Sequence, residues 1–82
     1  MILSLTIRVK TSQPENVAKV ISVDNVNIPK GMSIKVSAGK DEVIIEIVMS
    51  ITRASDILTV KNTADDILRQ IDVIERTLNK VG

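Results

Sequence analysis

Along the first ten residues, Leu3, Leu5, Ile7 and Val9 alternate with Ser4, Thr6, Arg8 and Lys10. That period of two predicts a strand with one buried and one wet face. Ser12-Gln13-Pro14-Glu15 has the spacing of a capping box, with the Ser12 hydroxyl set to accept from the Glu15 amide. Pro14 suits a first helical turn. The short helix expected there offers Val17, Ala18, Val20 and Ile21 for burial and ends near Asp24-Asn25. Beyond a loop with Pro29 and Gly31, Met32, Ile34, Val36 and Ala38 alternate with Ser33, Lys35 and Ser37 as a second strand. Ala38-Gly39-Lys40-Asp41 is turn chemistry, so a third strand, Val43 to Ile51, returns antiparallel as a hairpin. It is apolar on both faces, because Ile44 and Val48 join Val43, Ile45, Ile47 and Met49. Such a strand belongs at the centre, giving the sheet order first-third-second, which also suits the handedness of the helical crossover.

The remainder reads as one helix, with Thr52 or Ser55 as its cap. Ile57, Val60, Ala64, Ile67, Ile71, Ile74, Leu78 and Val81 are spaced 3, 4, 3, 4, 3, 4, 3, and neither Gly nor Pro intervenes before Gly82. This is an apolar stripe along one side of a helix. Residues 55–81 span roughly 40 Å as a helix, against roughly 30 Å for a nine-residue strand. One end should therefore overhang the sheet or cross it diagonally. The first half of the stripe is expected in the core, and Ile71, Ile74, Leu78 and Val81 are expected to meet a partner. Two or three such side chains left in water would forfeit on the order of 1.5–3 kcal/mol each. The predicted fold is α+β, β-α-β-β-α, one domain over residues 1–82 with a three-stranded antiparallel sheet and both helices on one face.

Composition favours the partner reading. A chain of this size buries only about 60–65% of the surface it exposes when unfolded. Yet 44% of its residues are hydrophobic, and mean hydropathy is +0.21. The absence of Phe, Trp and Tyr removes the rings on which single-strand binders stack bases. The absence of His and Cys excludes disulfides, thiolate and imidazole chemistry, and nearly every zinc site. A net charge of +1 supplies no strong field for polyanions. No stretch reaches the ~18–20 apolar residues of a membrane span, and the alternating N-terminus does not read as a signal peptide. A cytoplasmic protein without metal or cofactor is expected.

The candidate chemical motifs dissolve on inspection. Gly39-Lys40 is no phosphate loop, because Ile34 stands where the earlier Gly is needed and Asp41 where Ser or Thr is needed. Asp65 and Asp66 point about 100° apart on a helix, off the apolar stripe, as solvated residues do. Ser4, Ser33, Ser37 and Ser50 have no His to activate them. A non-catalytic protein is predicted. Arg8, Lys10, Lys35 and Lys40, with Lys30, share the wet face and rim of the sheet, where they could form a modest phosphate-contacting patch for a nucleic acid. Edge lysines also discourage aggregation, and no two glycines have the G-x-x-G spacing of an RNA-binding loop.

The element order and the final helix together resemble the CTAG/Pcc family, the small dimerisation subunit of the KEOPS complex. The resemblance covers nearly the whole chain. Its specific part is the run Thr59-Val60-Lys61-Asn62-Thr63-Ala64-Asp65-Asp66-Ile67-Leu68-Arg69-Gln70-Ile71, where the family reads roughly S-L-R-A-T-x-N-S-x-L-R-x-I. Thr63, Leu68-Arg69 and Ile71 match, and Val60-Lys61 stands for Leu-Arg. The junction Thr52-Arg53-Ala54-Ser55-Asp56 after the third strand is also similar. The resemblance implies a scaffold for threonylcarbamoyladenosine synthesis beside the tRNA anticodon, doing no chemistry itself. Its helices would dock on the threonylcarbamoyl-transferase subunit through Val60, Lys61, Ala64, Ile67, Leu68, Ile71, Ile74 and Leu78. Two small subunits would pair through their sheets, with Leu3, Leu5, Ile7, Ile44 and Val48 at the dimer interface.

Lys61 lacks the bidentate fork of the family's Arg, and Asp65 and Asp66 replace uncharged positions. A diverged paralogue that pairs with the main small subunit therefore stays open beside a self-pairing one. Two further alternatives are a small nucleic-acid-binding protein using the sheet lysines and a module that self-assembles through the long helix.

Overall fold

The computed structural model describes residues 1–24 and 28–81, with side chains at all of these but 22–24 and 79–81. The elements run β1 (Ile2–Lys10), α1 (Pro14–Asp24), β2 (Met32–Ala38), β3 (Glu42–Ser50) and α2 (Ala54–Val81). The fold is α+β, and the sheet order is β1-β3-β2 with both neighbours antiparallel to β3. Both edge strands present alternating burial, while β3 is buried at Val43, Ile45, Ile47 and Met49.

Those four β3 residues form the floor of the core. Val17, Ala18 and Ile21 of α1 and Val60, Ala64, Ile67 and Ile71 of α2 close it from the same side. Leu3, Leu5, Ile7 and Val9 of β1, with Met32, Ile34 and Val36 of β2, pack half-buried around that floor. Apart from Met49, Ala18 and Ala64, the buried residues of this core are branched Ile and Val with few rotamers, which set its shape.

The helix starts differ from expectation by a residue or more, and each difference has a cause. In α1 the first i to i+4 bond runs from the Val17 amide to the Gln13 carbonyl, 3.1 Å. Gln13 is therefore the N-cap and Pro14 the first helical residue, where a missing N–H costs nothing. The box expected from Ser12 to Glu15 gives way to Asn16 Nδ2 donating to Gln13 Oε1 at 2.8 Å. In α2 neither Thr52 nor Ser55 caps by its hydroxyl. Asp56 reaches back instead, its Oδ2 accepting from the Thr52 amide at 2.9 Å, the Thr52 hydroxyl at 3.0 Å and the Arg53 amide at 3.2 Å. Gly31, at φ +85°, makes the left-handed turn into β2. The loop expected at residues 25–27 lies outside the described residues.

Candidate functional site

Helix α2 has 28 residues, about 42 Å at 1.5 Å per residue, and the molecule's longest dimension is 45 Å. The stripe expectation is met in the middle of the helix and corrected at its ends. Val60, Ala64, Ile67 and Ile71 are buried in the chain's own core, so none of these four is available to a partner. Ile74 and Leu78, also expected at a partner, are half-buried against the same core. The side chain of Val81 lies outside those described. Val20 of α1, offered for burial by its sequence, is exposed. On α2 the exposed large apolar side chains are Ile57 and Leu58 in the first turns and Leu68 and Val73 further on.

Helical geometry sorts these four. Measured around the axis from Val60, Ile57, Lys61 and Leu68 lie about 60°, 100° and 80° to one side. Leu58 and Val73 point nearly away from the core. Ile57, Lys61 and Leu68 thus form a second row, three turns long, flanking the buried stripe. Of the residues expected at a partner, Lys61 and Leu68 remain exposed. Ile57 was assigned to the core by the 3-4 repeat; it is half-exposed because the first turn of α2 extends past the packed residues. Among the described residues, three surface ion pairs decorate the helix, Lys61–Asp65 at 3.0 Å, Arg69–Asp66 at 3.5 Å and Arg76–Asp72 at 3.0 Å. Asp65 and Asp66 are therefore exposed ion-pair partners. Exposed pairs of this kind contribute about 0.3–0.5 kcal/mol each.

The face of the sheet turned from the helices is a grid of cross-strand rows. One row reads Ser4–Val48–Ser33, the next Thr6–Glu46–Lys35, then Arg8–Ile44–Ser37, with Lys10 opposite Glu42. The five residues expected at a dimer interface do not share a surface. Ile44 and Val48 lie on this bare face, while Leu3, Leu5 and Ile7 point to the helix side. The expected basic patch is likewise divided. Arg8, Lys10 and Lys35 share the bare face, Lys40 sits in the β2–β3 turn, and Arg8 Nη1 donates to Glu42 Oε1 at 3.2 Å. With Glu42 and Glu46 between them, the cations form no continuous positive field.

At the junction of β3 and α2, three donors converge on the Asp56 carboxylate. They hold it below its ordinary 3.8; the Thr52 amide contributes most, followed by the Thr52 hydroxyl, with the Arg53 amide and charge adding less. This is the acidic half of a capping box. The sequence signal was Arg53-Ala54-Ser55-Asp56, an acid three residues after the N-cap.

A cleft of about 390 Å³ opens between Lys10, Ser12, Gln13, Asp41 and Glu75 at one tip of the molecule. Its polar groups carry both signs, and among the described residues no three acidic side chains group as metal ligands do. No helix of the described residues is long and apolar enough to cross a membrane. No family model matches the chain, and no curated protein or solved structure matches it significantly.

Proposed function

We propose that the chain is a non-catalytic scaffold subunit that docks on a larger partner through the Ile57–Lys61–Leu68 flank of α2. The observation that carries this reading is the exposure of Leu68 and Lys61. These are two positions of the Leu68-Arg69 and Val60-Lys61 register on which the resemblance to the KEOPS small subunit rests. Following that resemblance, the partner is the threonylcarbamoyl-transferase subunit, the process is tRNA modification, and the compartment is the cytoplasm. Burial of Ile57 and Leu68 on a partner helix would add on the order of 1 kcal/mol each, since each is already about half covered.

The sheet supports the dimer element of the reading. A two-fold axis through Thr6 would set β1 against a second β1 in full register. Thr6 would face Thr6 of the second copy, Arg8 would face Ser4, and Leu5 would face Ile7 on the helix side. No like charges meet directly, and the half-buried β1 side chains would extend the core across the seam. Ile44 and Val48 would lie one strand away from that seam. A paralogous small subunit with the same β1 pattern would serve equally.

Co-purification of the chain with the transferase subunit tests the proposal. The variants Leu68→Asp and Ile57→Asp should stay folded and lose the complex. A wild-type chain that forms no complex, or variants that bind as well as wild type, would sink it.

A further inference from the structure

The second edge of the sheet differs from β1 in a way the scaffold reading does not use. From Ile28 to Lys40 the chain carries three lysines at five-residue spacing, Lys30, Lys35 and Lys40, and no acidic residue. All three are exposed, and none takes part in the four ion pairs among the described residues. Strand β2 lies in the middle of this stretch and, among the described residues, pairs only with β3. Alternate N–H and C=O groups along its outer edge are therefore turned away from the sheet. The Met32 N–H is taken by the Pro29 carbonyl at 3.1 Å, which leaves the edge from Ile34 onward for pairing.

The central row of the bare face ends on a cation beside an anion at that edge. It runs from Thr6 through Glu46 to Lys35, so the next strand position in the row favours an anion. On the helix side, Met32, Ile34 and Val36 are only half-buried and would be covered further by alternate apolar residues of an added strand. A second copy is poorly suited. Two-fold pairing of β2 in full register sets Lys35 directly against Lys35, the like-charge arrangement that destabilises a cross-strand pair.

We propose that the β2 edge binds an extended acidic segment of another protein as a fourth strand, with apolar residues toward the helices and acidic residues beside Lys35. Main-chain hydrogen bonds supply the attachment and the lysines supply the selection. The absence of any aromatic ring makes single-stranded nucleic acid the weaker fit for the same cations. Pairing of two copies through β1 leaves this edge open, so the two interactions are separable.

The test uses the full chain and three nine-residue probes: a peptide alternating Val and Glu, one alternating Val and Lys, and an oligouridine. The Val-Glu peptide should bind, shift the backbone amides of residues 32–38 in NMR titration, and weaken as salt rises. Lys35→Glu should weaken it at least tenfold and turn the preference toward the Val-Lys peptide. That substitution also sets a glutamate beside Glu46, so Lys35→Gln serves as a milder variant, expected to lower affinity several-fold with the fold intact. The proposal is overturned if the Val-Glu peptide does not bind, if the two peptides bind wild type equally, or if the shifts fall on residues 2–10. Tighter binding of the oligouridine would assign the lysines to nucleic acid instead.

Discussion

Ile67 and Leu68 are neighbours in the chain and opposites in environment, the first 2% exposed and the second 42%. They separate what folds the molecule from what the proposed docking flank would use. Ile67→Ala should cost about 2–4 kcal/mol in urea unfolding, because it empties a site walled by β3 and α1. Leu68→Ala should cost less than about 1 kcal/mol, since half of its side chain already meets water. Asp56 sets a second residue-scale expectation. Its folded-state carboxyl lies below the unfolded value, so its contribution is complete above about pH 5. That contribution is lost as pH falls from 3.8 through the lower folded value. Melting temperature measured against pH should therefore drop on the acid side, and Asp56→Asn should lower the neutral-pH plateau and shallow that drop. An unchanged acid limb in the variant would remove Asp56 from the account.

At the scale of elements, α2 is held by the part of its stripe from Val60 to Leu78. A chain ending at Arg69 should lose cooperative unfolding. It lacks Ile71, which is buried in the core, and the half-buried Ile74 and Leu78, a loss comparable to the roughly 5 kcal/mol stability of a small domain. The five elements were legible from different signals: a period of two in β1 and β2, a 3-4 repeat in α2, turn chemistry followed by an apolar run in β3, and the Ser12-Gln13-Pro14-Glu15 start of α1. The centrality of β3 followed from Ile44 and Val48, apolar residues on a face that an edge strand would leave wet. What the pattern did not reveal is where a stripe stops meeting a core. Periodicity marks a side of a helix; the length of the sheet beneath it decides which turns are covered. Hence Ile57 reads as core and is half-exposed, while Ile71 reads as a partner contact and is buried. The caps were misplaced for a local reason, since Pro14 fixes its own position as the first helical residue and Asp56 outcompetes the Thr52 hydroxyl for free amides.

The whole molecule presents two edges of one sheet and one flank of a long helix. Glu46 lies at the centre of the bare face, with Thr6 on one side and Lys35 on the other. Thr6→Lys should leave the monomer folded, because the introduced lysine gains Glu46 as its neighbour. In a β1-paired dimer it would meet its own copy, so sedimentation should show a shift to monomer at concentrations where wild type is dimeric. The proposed function rests in sequence on the Leu68-Arg69 register alone, because a scaffold of the kind proposed would have no reacting atoms to leave a motif. Exposure then divided the expected partner residues into Lys61 and Leu68, which stay accessible, and Val60, Ala64, Ile67 and Ile71, which do not. Calorimetric titration of the threonylcarbamoyl-transferase subunit with wild type and with Leu68→Asp tests the central claim most directly. Saturable binding by wild type, weakened at least tenfold (about 1.4 kcal/mol) in a variant of unchanged melting temperature, is the predicted result. Equal affinities, or no binding by wild type, would contradict it.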